Sequence, residues 1–237
     1  MIKERLVNGA FELGVKIDNE QAEKFAEYTE LLLEWNQKFN LTSITDPGEI
    51  GVKHYLDSLS CFRAARFRNG DGVADVGTGA GFPGVPIAIV RPDVKVTLIE
   101  ATNKKLTFLD EVRQRLNLSN IELVHSRAEE AGRIPEHREH YNIVTARAVA
   151  DMRVLVEYCL PLVRVGGVFI AMKGPGVDSE LDGARPGIGT LGGGHPEVIR
   201  LALPGTDIER SLVVIKKQKP TPDEFPRHGA KIVKKPL

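Results

Sequence analysis

The chain has 237 residues, 42% hydrophobic and 27% charged, with a formal net charge of +0. That is the make-up of one α/β domain with an appendage, or of two small domains. No run of about 18 apolar residues occurs, which excludes a membrane-spanning helix, and the opening MIKERLVNGA has no apolar signal core, so a cytoplasmic location is expected. Two cysteines, Cys61 and Cys159, form neither a metal-cluster pattern nor a disulfide framework and suit a reducing compartment.

From residue 18 to residue 40 the apolar positions Phe25, Tyr28, Leu31, Leu32, Trp35 and Phe39 recur at three- and four-residue spacing, one face of a helix capped by Asp18 or Asn19. A second helical stretch is expected over 49–66, so residues 1–70 read as a helical extension. Alternation follows: strands at 73–76, 95–100, 121–125, 141–146 and 168–173, with helices at 84–90, 103–116, 128–131 and 152–162. That order predicts a parallel sheet covered on both faces. Strands at 198–203 and 211–217 are separated by only 204–210, too short for a parallel crossover, so they should pair antiparallel. At 183–194 the stretch GARPGIGTLGGG puts Pro186 and five further glycines after Gly183, which predicts a short or broken helix there. The charge is uneven along this layout. Residues 1–50 hold five Lys/Arg against ten Asp/Glu, and residues 216–237 hold seven against two. A basic end is a recurrent nucleic-acid signal and equally an ordinary solvated surface.

The first strand runs into VADVGTGAGFPG, with four glycines in eight positions. Glycine is entropically costly, so the cluster requires a left-handed backbone or a close approach. Gly79-Ala80-Gly81-Phe82-Pro83-Gly84 satisfies the GxGxxG of a dinucleotide site, and Glu100 closes the second strand where a carboxylate accepts from ribose hydroxyls. The frame Asp75-x-Gly77-x-Gly79-x-Gly81, with the same Glu100, is instead that of a class I S-adenosylmethionine site. Three features favour this second frame over a nicotinamide-dependent oxidoreductase. They are the antiparallel hairpin at the sheet edge, the short chain left after the fifth strand, and the lack of an acid/base pair for hydride transfer.

GTGAGFPGVPIAI closely resembles the RsmG (GidB) family of bacterial methyltransferases that act on guanine N7 of 16S ribosomal RNA. WNQKFNLTSI, HYLDSL, TARAVA, MKGP, ERSLVVIKK and the closing FPRHGAKIVKKPL extend the resemblance along nearly the whole chain. The resemblance implies an α/β, Rossmann-like class I S-adenosylmethionine-dependent methyltransferase: a mostly parallel seven-stranded sheet with an antiparallel terminal hairpin, preceded by a helical extension. It implies an extension over 1–70, a methyltransferase domain over 71–219, and a basic tail over 220–237. The acceptor it implies is 16S rRNA, free or within the 30S subunit, and a monomer is expected. The family's cofactor contacts fall on Gly77, Phe82, Ala128, Glu129 and Arg147; Glu100 is added from the fold logic. Each has a plainer reading: turn geometry for Gly77, core for Phe82, helix-start dipole for Glu129, a surface ion pair for Arg147.

No catalytic acid or base is assigned. The Asn/Asp-Pro-Pro-aromatic motif of exocyclic-amine methylation is replaced by Asn142-Ile143-Val144-Thr145, and neither cysteine stands in the Pro-Cys context of C5 chemistry. Guanine N7 carries its own lone pair, so positioning suffices. Lys173, Arg210, Arg227, Lys231, Lys234 and Lys235 are candidates for RNA phosphates, Lys173 and Arg227 foremost. His54 and Asp57 fit either RNA contact or helix packing. In the tail, Ala230-Lys231-Ile232-Val233 departs from the family's small, proline-containing segment, which leaves RNA contact open there. A second class is an S-adenosylmethionine-binding RNA module without catalysis, which the intact glycine loop and Glu100 argue against.

Overall fold

The computed structural model describes residues 2–237. Two helices open the chain, α1 (Ile2–Glu12) and α2 (Asn19–Asn36). Asp18 caps α2 by accepting from the Gln21 N–H at 2.8 Å, and the Gln21 side chain accepts in return from the Asp18 N–H, a reciprocal capping box. A continuous helical stretch follows: α3 (Pro47–Ile50), a π-helical turn (Gly51–Leu56), α4 (Asp57–Leu59) and a 3-10 turn (Ser60–Arg63).

The alternating part comprises β1 (Gly72–Val76), α5 (Gly84–Val90), β2 (Lys95–Glu100), α6 (Asn103–Arg115), β3 (Ile121–His125), α7 (Ala128–Ala131), β4 (Tyr141–Arg147), α8 (Met152–Cys159) and β5 (Val163–Lys173). It closes with α9 (Asp178–Thr190), β6 (Glu197–Ala202), β7 (Glu209–Lys216) and α10 (Gly229–Lys234). The seven strands lie in the order β3-β2-β1-β4-β5-β7-β6, and β7 runs antiparallel to both neighbours. The order reverses between β1 and β4, so the loops after those strands diverge and open a crevice at the strand ends.

Two apolar clusters cover the sheet. On one face Leu6, Phe25, Tyr28, Leu32, Ile50 and Leu56 of the extension share a single cluster with Val85, Leu98, Phe108 and Leu109. On the other, Val144, Leu155, Val156, Phe169, Leu181 and Ile188 pack around α8 and α9. Cys61 and Cys159 are buried and free, and burial pushes both thiols above their ordinary range.

The expected break at 183–194 does not occur. The helix α9 runs unbroken from Asp178 through Pro186 and stops only at Gly192, whose φ of 82° allows the Gly193 N–H to reach back to the Ile188 carbonyl at 2.8 Å. The reason lies in packing. Leu181, Ala184, Gly187 and Ile188 are buried, while Pro186 is exposed. A Cβ on Gly187 would lie 2.9 Å from the Leu237 Cβ, so the small residue seats the helix under the chain end. Tertiary burial outweighs the local propensity.

Candidate cofactor and acceptor site

The glycine loop after β1 is built on left-handed backbone: Gly77, Gly79 and Gly81 have φ of 64°, 62° and 98°. A Cβ on Gly77 would lie 2.9 Å from Val149 and one on Gly81 2.6 Å from the Tyr28 hydroxyl, whereas one on Gly79 would meet nothing nearer than the Gly77 carbonyl at 3.9 Å. The loop is therefore packed at both ends and open at Gly79. The Tyr28 hydroxyl, from α2, donates to the Ala80 carbonyl, which ties the extension to the loop.

Asp75 ends inside this turn, wholly buried. One oxygen accepts from the Thr78 hydroxyl at 2.6 Å and from the Gly84 N–H at 2.8 Å; the other lies 3.4 Å from the Thr145 hydroxyl. Burial raises its pKa to about 6, against the lowering by those hydrogen bonds. The carboxylate thus occupies the N-terminus of α5, where the pyrophosphate of a dinucleotide would have to sit. Gly84, the last glycine of the GxGxxG frame, serves packing: a Cβ there would lie 2.2 Å from Leu98. A cofactor without phosphates suits this loop.

Glu100 closes β2, only 6% exposed. Its two oxygens accept from the Gly79 N–H at 3.1 Å and the Thr102 N–H at 2.9 Å, with the Lys105 ammonium at 3.6 Å. An ionised carboxylate has about four acceptor positions, so capacity for two ribose hydroxyls remains. The loop after β3 is joined to the same strand end, since the Ser126 N–H donates to the Glu100 carbonyl at 3.2 Å. Ala128 and Glu129 open α7, and their N–H groups have no carbonyl one turn back within the helix. The open Gly79 backbone, Glu100 and these N–H groups fit the methionine, ribose and adenine parts of S-adenosylmethionine.

The Glu129 carboxylate itself packs against Gly229, where a Cβ would lie 2.0 Å from its Oε1. It lines a groove of about 900 Å³ beneath the C-terminal segment, with Arg127, Tyr158, Arg227 and His228. Phe82 is buried at the loop's exit. The His54 ring stacks on it at 4.5 Å, Tyr28 lies 5.5 Å away, and the Arg147 guanidinium lies 5.0 Å over its centroid.

Arg147 ends β4, and its guanidinium turns toward the extension. Nη1 donates to Asp57 at 2.9 Å and to the Lys53 carbonyl at 3.2 Å, and Nη2 meets His54 Nδ1 at 3.3 Å. His54 Nε2 is engaged with the Thr42 hydroxyl at 2.8 Å. Burial, then the Arg147 charge, lower the His54 pKa to about 4, so the imidazole is neutral near pH 7. Beside Arg147 opens a mouth of about 350 Å³ lined by Lys53, His54, Asp57, Lys173 and Arg210. Lys173 donates to Glu180 and to the Ala150 carbonyl, both at 2.7 Å, and ties β5 to α9.

Arg227 lies elsewhere. It holds the fully buried Glu157 in a fork, Nε to Oε1 at 2.9 Å and Nη2 to Oε2 at 2.5 Å, so its guanidinium is committed to anchoring the C-terminal segment. Lys231, Lys234 and Lys235 are exposed with no acidic partner among the described residues. Sequence reasoning singled out neither Tyr28 nor Thr78 as a loop support. The Tyr28 contact is made by the fold across 52 residues, whereas Thr78 reaches Asp75 only three residues back, a spacing that could have marked it.

The family model described as rRNA small subunit methyltransferase G matches residues 21–202. A protein of that name from Clostridium perfringens is 48% identical over 225 residues, covering 95% of this chain and 94% of its own. One from Pelotomaculum thermopropionicum is 48% identical over 237 residues, covering 100% and 99%. Among solved structures, a SAM-dependent O-methyltransferase from Thermotoga maritima superposes with a TM-score of 0.54 at 14% identity, over 81% of this chain and 72% of that one. This likeness concerns the fold alone.

Proposed function

The chain belongs to the rRNA small subunit methyltransferase G family, and from that membership we propose that it methylates N7 of one guanine in 16S ribosomal RNA, with S-adenosylmethionine as donor. The observation that carries the cofactor reading is the cradle itself. An open glycine loop and a buried Glu100 with unspent acceptor capacity stand beside a helix N-terminus already filled by Asp75. The bound cofactor supplies a methyl group on a sulfonium, ready for in-line attack.

The residues present bind and orient. Gly79 admits a ligand against backbone while Gly77, packed under Val149, sets the turn; Glu100 takes the ribose hydroxyls, and the Ala128 and Glu129 N–H groups would read the adenine edge. Phe82, under His54 and Arg147, walls the loop's exit and excludes water from the reacting centre. Arg147 stands with its backbone at the cofactor crevice and its guanidinium at the mouth through which the acceptor enters. Guanine N7 brings its own lone pair and releases no proton when methylated, so no side chain needs to act as a base. Neutral His54, with both ring nitrogens engaged, agrees with that.

On this reading the protein acts as a monomer in the cytoplasm, where its acceptor is. The test is incubation with methyl-labelled S-adenosylmethionine and 16S RNA, as free transcript and as 30S particles from cells lacking the modification. The reading expects label in RNA at one site, and the better acceptor of the two identifies the natural substrate. Bound cofactor with no label in either acceptor would contradict it.

A further inference from the structure

The mouth beside the cofactor crevice contains one arrangement that the cofactor reading leaves unused. Asp57, 5% exposed at its side chain, is shared by two arginines: its Oδ2 accepts from Arg147 Nη1 and its Oδ1 from Arg210 Nε, both at 2.9 Å. The three residues come from different parts of the chain. Asp57 follows the π-helical turn of the extension, Arg147 ends β4, and Arg210 opens β7. Sheet register explains the meeting. Arg147 pairs with Met172 and Lys173 pairs with Ser211, so the start of antiparallel β7 lies at the same edge as the ends of β4 and β5.

A buried carboxylate is costly, and a single guanidinium would suffice to pair it. The second leaves the cluster with a surplus of positive charge facing the mouth, where Asp57 is the sole acid among the lining residues given for that cavity. Donors also remain. Arg210 spends Nε on Asp57 and Nη1 on the Glu209 carbonyl at 3.0 Å, and no acceptor among the described residues meets its Nη2. Its side chain is 22% exposed and that of Arg147 15%. Two planar guanidiniums locked by one carboxylate beside an open cavity, that of Arg210 with its Nη2 unspent, are built for a tetrahedral oxyanion. Resting on the methyltransferase reading above, we propose that Asp57 is a positioning residue that presents Arg147 and Arg210 as a paired cradle for a backbone phosphate of the acceptor RNA.

The proposal makes a prediction of opposite sign to simple electrostatics. If Asp57 only diluted the positive charge of the mouth, Asp57→Asn would tighten RNA binding. If it positions the pair, the isosteric Asp57→Asn raises the KM for RNA and lowers kcat/KM by about 10- to 100-fold, the scale of a misplaced binding group. The dissociation constant for S-adenosylmethionine should move much less than the KM for RNA, because, of the candidate cofactor contacts, Asp57 touches Arg147 alone. Arg210→Gln should cost a similar factor, and the double variant no more than Arg210→Gln alone. Arg210→Lys keeps the charge but not the fork, and should still lose about tenfold or more.

The experiment is steady-state methyl transfer to 16S RNA in 30S particles, with cofactor calorimetry and thermal melts on each protein. Wild-type kcat/KM for RNA restored or raised in Asp57→Asn overturns the proposal, as does full activity in Arg210→Lys, which decides the matter if Asp57→Asn fails to fold. Wild-type protein that binds cofactor yet methylates no RNA overturns the functional reading, and the proposal with it; the two failures are distinguished by the wild-type lane.

Discussion

Glu100 illustrates how one side chain serves two purposes. It joins the loops after β1 and β2 through the Gly79 and Thr102 N–H groups and keeps acceptor capacity for a ligand. Hydrogen bonds to a charged group contribute about 1.5–3 kcal/mol each, so Glu100→Ala should weaken cofactor binding by about 10- to 100-fold in calorimetry. An affinity within twofold of wild type would remove Glu100 from the site. His54 makes a pH prediction. Its pKa is lowered from 6.5 to about 4, so below pH 6.5 the unfolded chain takes up a proton that the folded chain refuses. Its contribution to stability is thus present above pH 6.5 and lost as pH falls toward 4. Urea unfolding at pH 7 and pH 5 should show a difference smaller by about 1–2 kcal/mol in His54→Gln than in wild type. An unchanged difference would show that the imidazole is not held neutral. Glu100 was singled out in the sequence by its place closing the second strand, whereas the setting of His54 is not legible from the residue alone: the HYLDSL block marks His54 and Asp57, but their partners Arg147 and Arg210 lie far along the chain.

At the scale of elements, α2 supports the glycine loop and α9 contradicts its own sequence. Tyr28→Phe removes the only side-chain donor to the Ala80 carbonyl among the described residues and should cost about 1–3 kcal/mol of stability, together with weaker cofactor binding. Stability loss with unchanged cofactor affinity would make the contact purely structural. Pro186 is exposed in the interior of α9, where proline is about 3 kcal/mol worse than alanine, partly offset by about 1 kcal/mol of unfolded-state entropy. Pro186→Ala should therefore stabilise the protein by about 1–2 kcal/mol in urea unfolding. The strands and most helices were legible because periodicity and glycine punctuation are local; the hairpin was legible because seven residues cannot make a crossover. The helix α9 was not, since what holds it is burial of Leu181, Ala184 and Ile188 against a neighbouring helix. The helical stretch expected over 49–66 is present, but the π-helical character of Gly51–Leu56 was not legible, having no propensity signature.

Across the whole molecule, the basic C-terminal end divides into anchor and surface. The wholly buried Lys217 ammonium donates to the Leu160 carbonyl and the Thr221 hydroxyl, both at 2.6 Å, and Arg227 forks Glu157, so residues 217–227 are bound into the domain. Lys231, Lys234 and Lys235 remain free to meet phosphates. Replacing these three by alanine should lower the slope of log affinity against log salt by about 2–3 without changing the melting temperature. Arg227→Ala should instead strand the Glu157 charge and cost about 3–5 kcal/mol. The site as a whole is assembled from the extension, the glycine loop and the edge hairpin, and its central claim is alkylation of a ring nitrogen without a base. The most direct measurement is borohydride reduction and aniline cleavage of 16S RNA recovered from methylated 30S particles, a treatment that breaks the chain at 7-methylguanosine. The account predicts one new cleavage, dependent on S-adenosylmethionine and on an intact Glu100. Methyl label in the RNA with no cleavage, or label on an exocyclic amine, would contradict it.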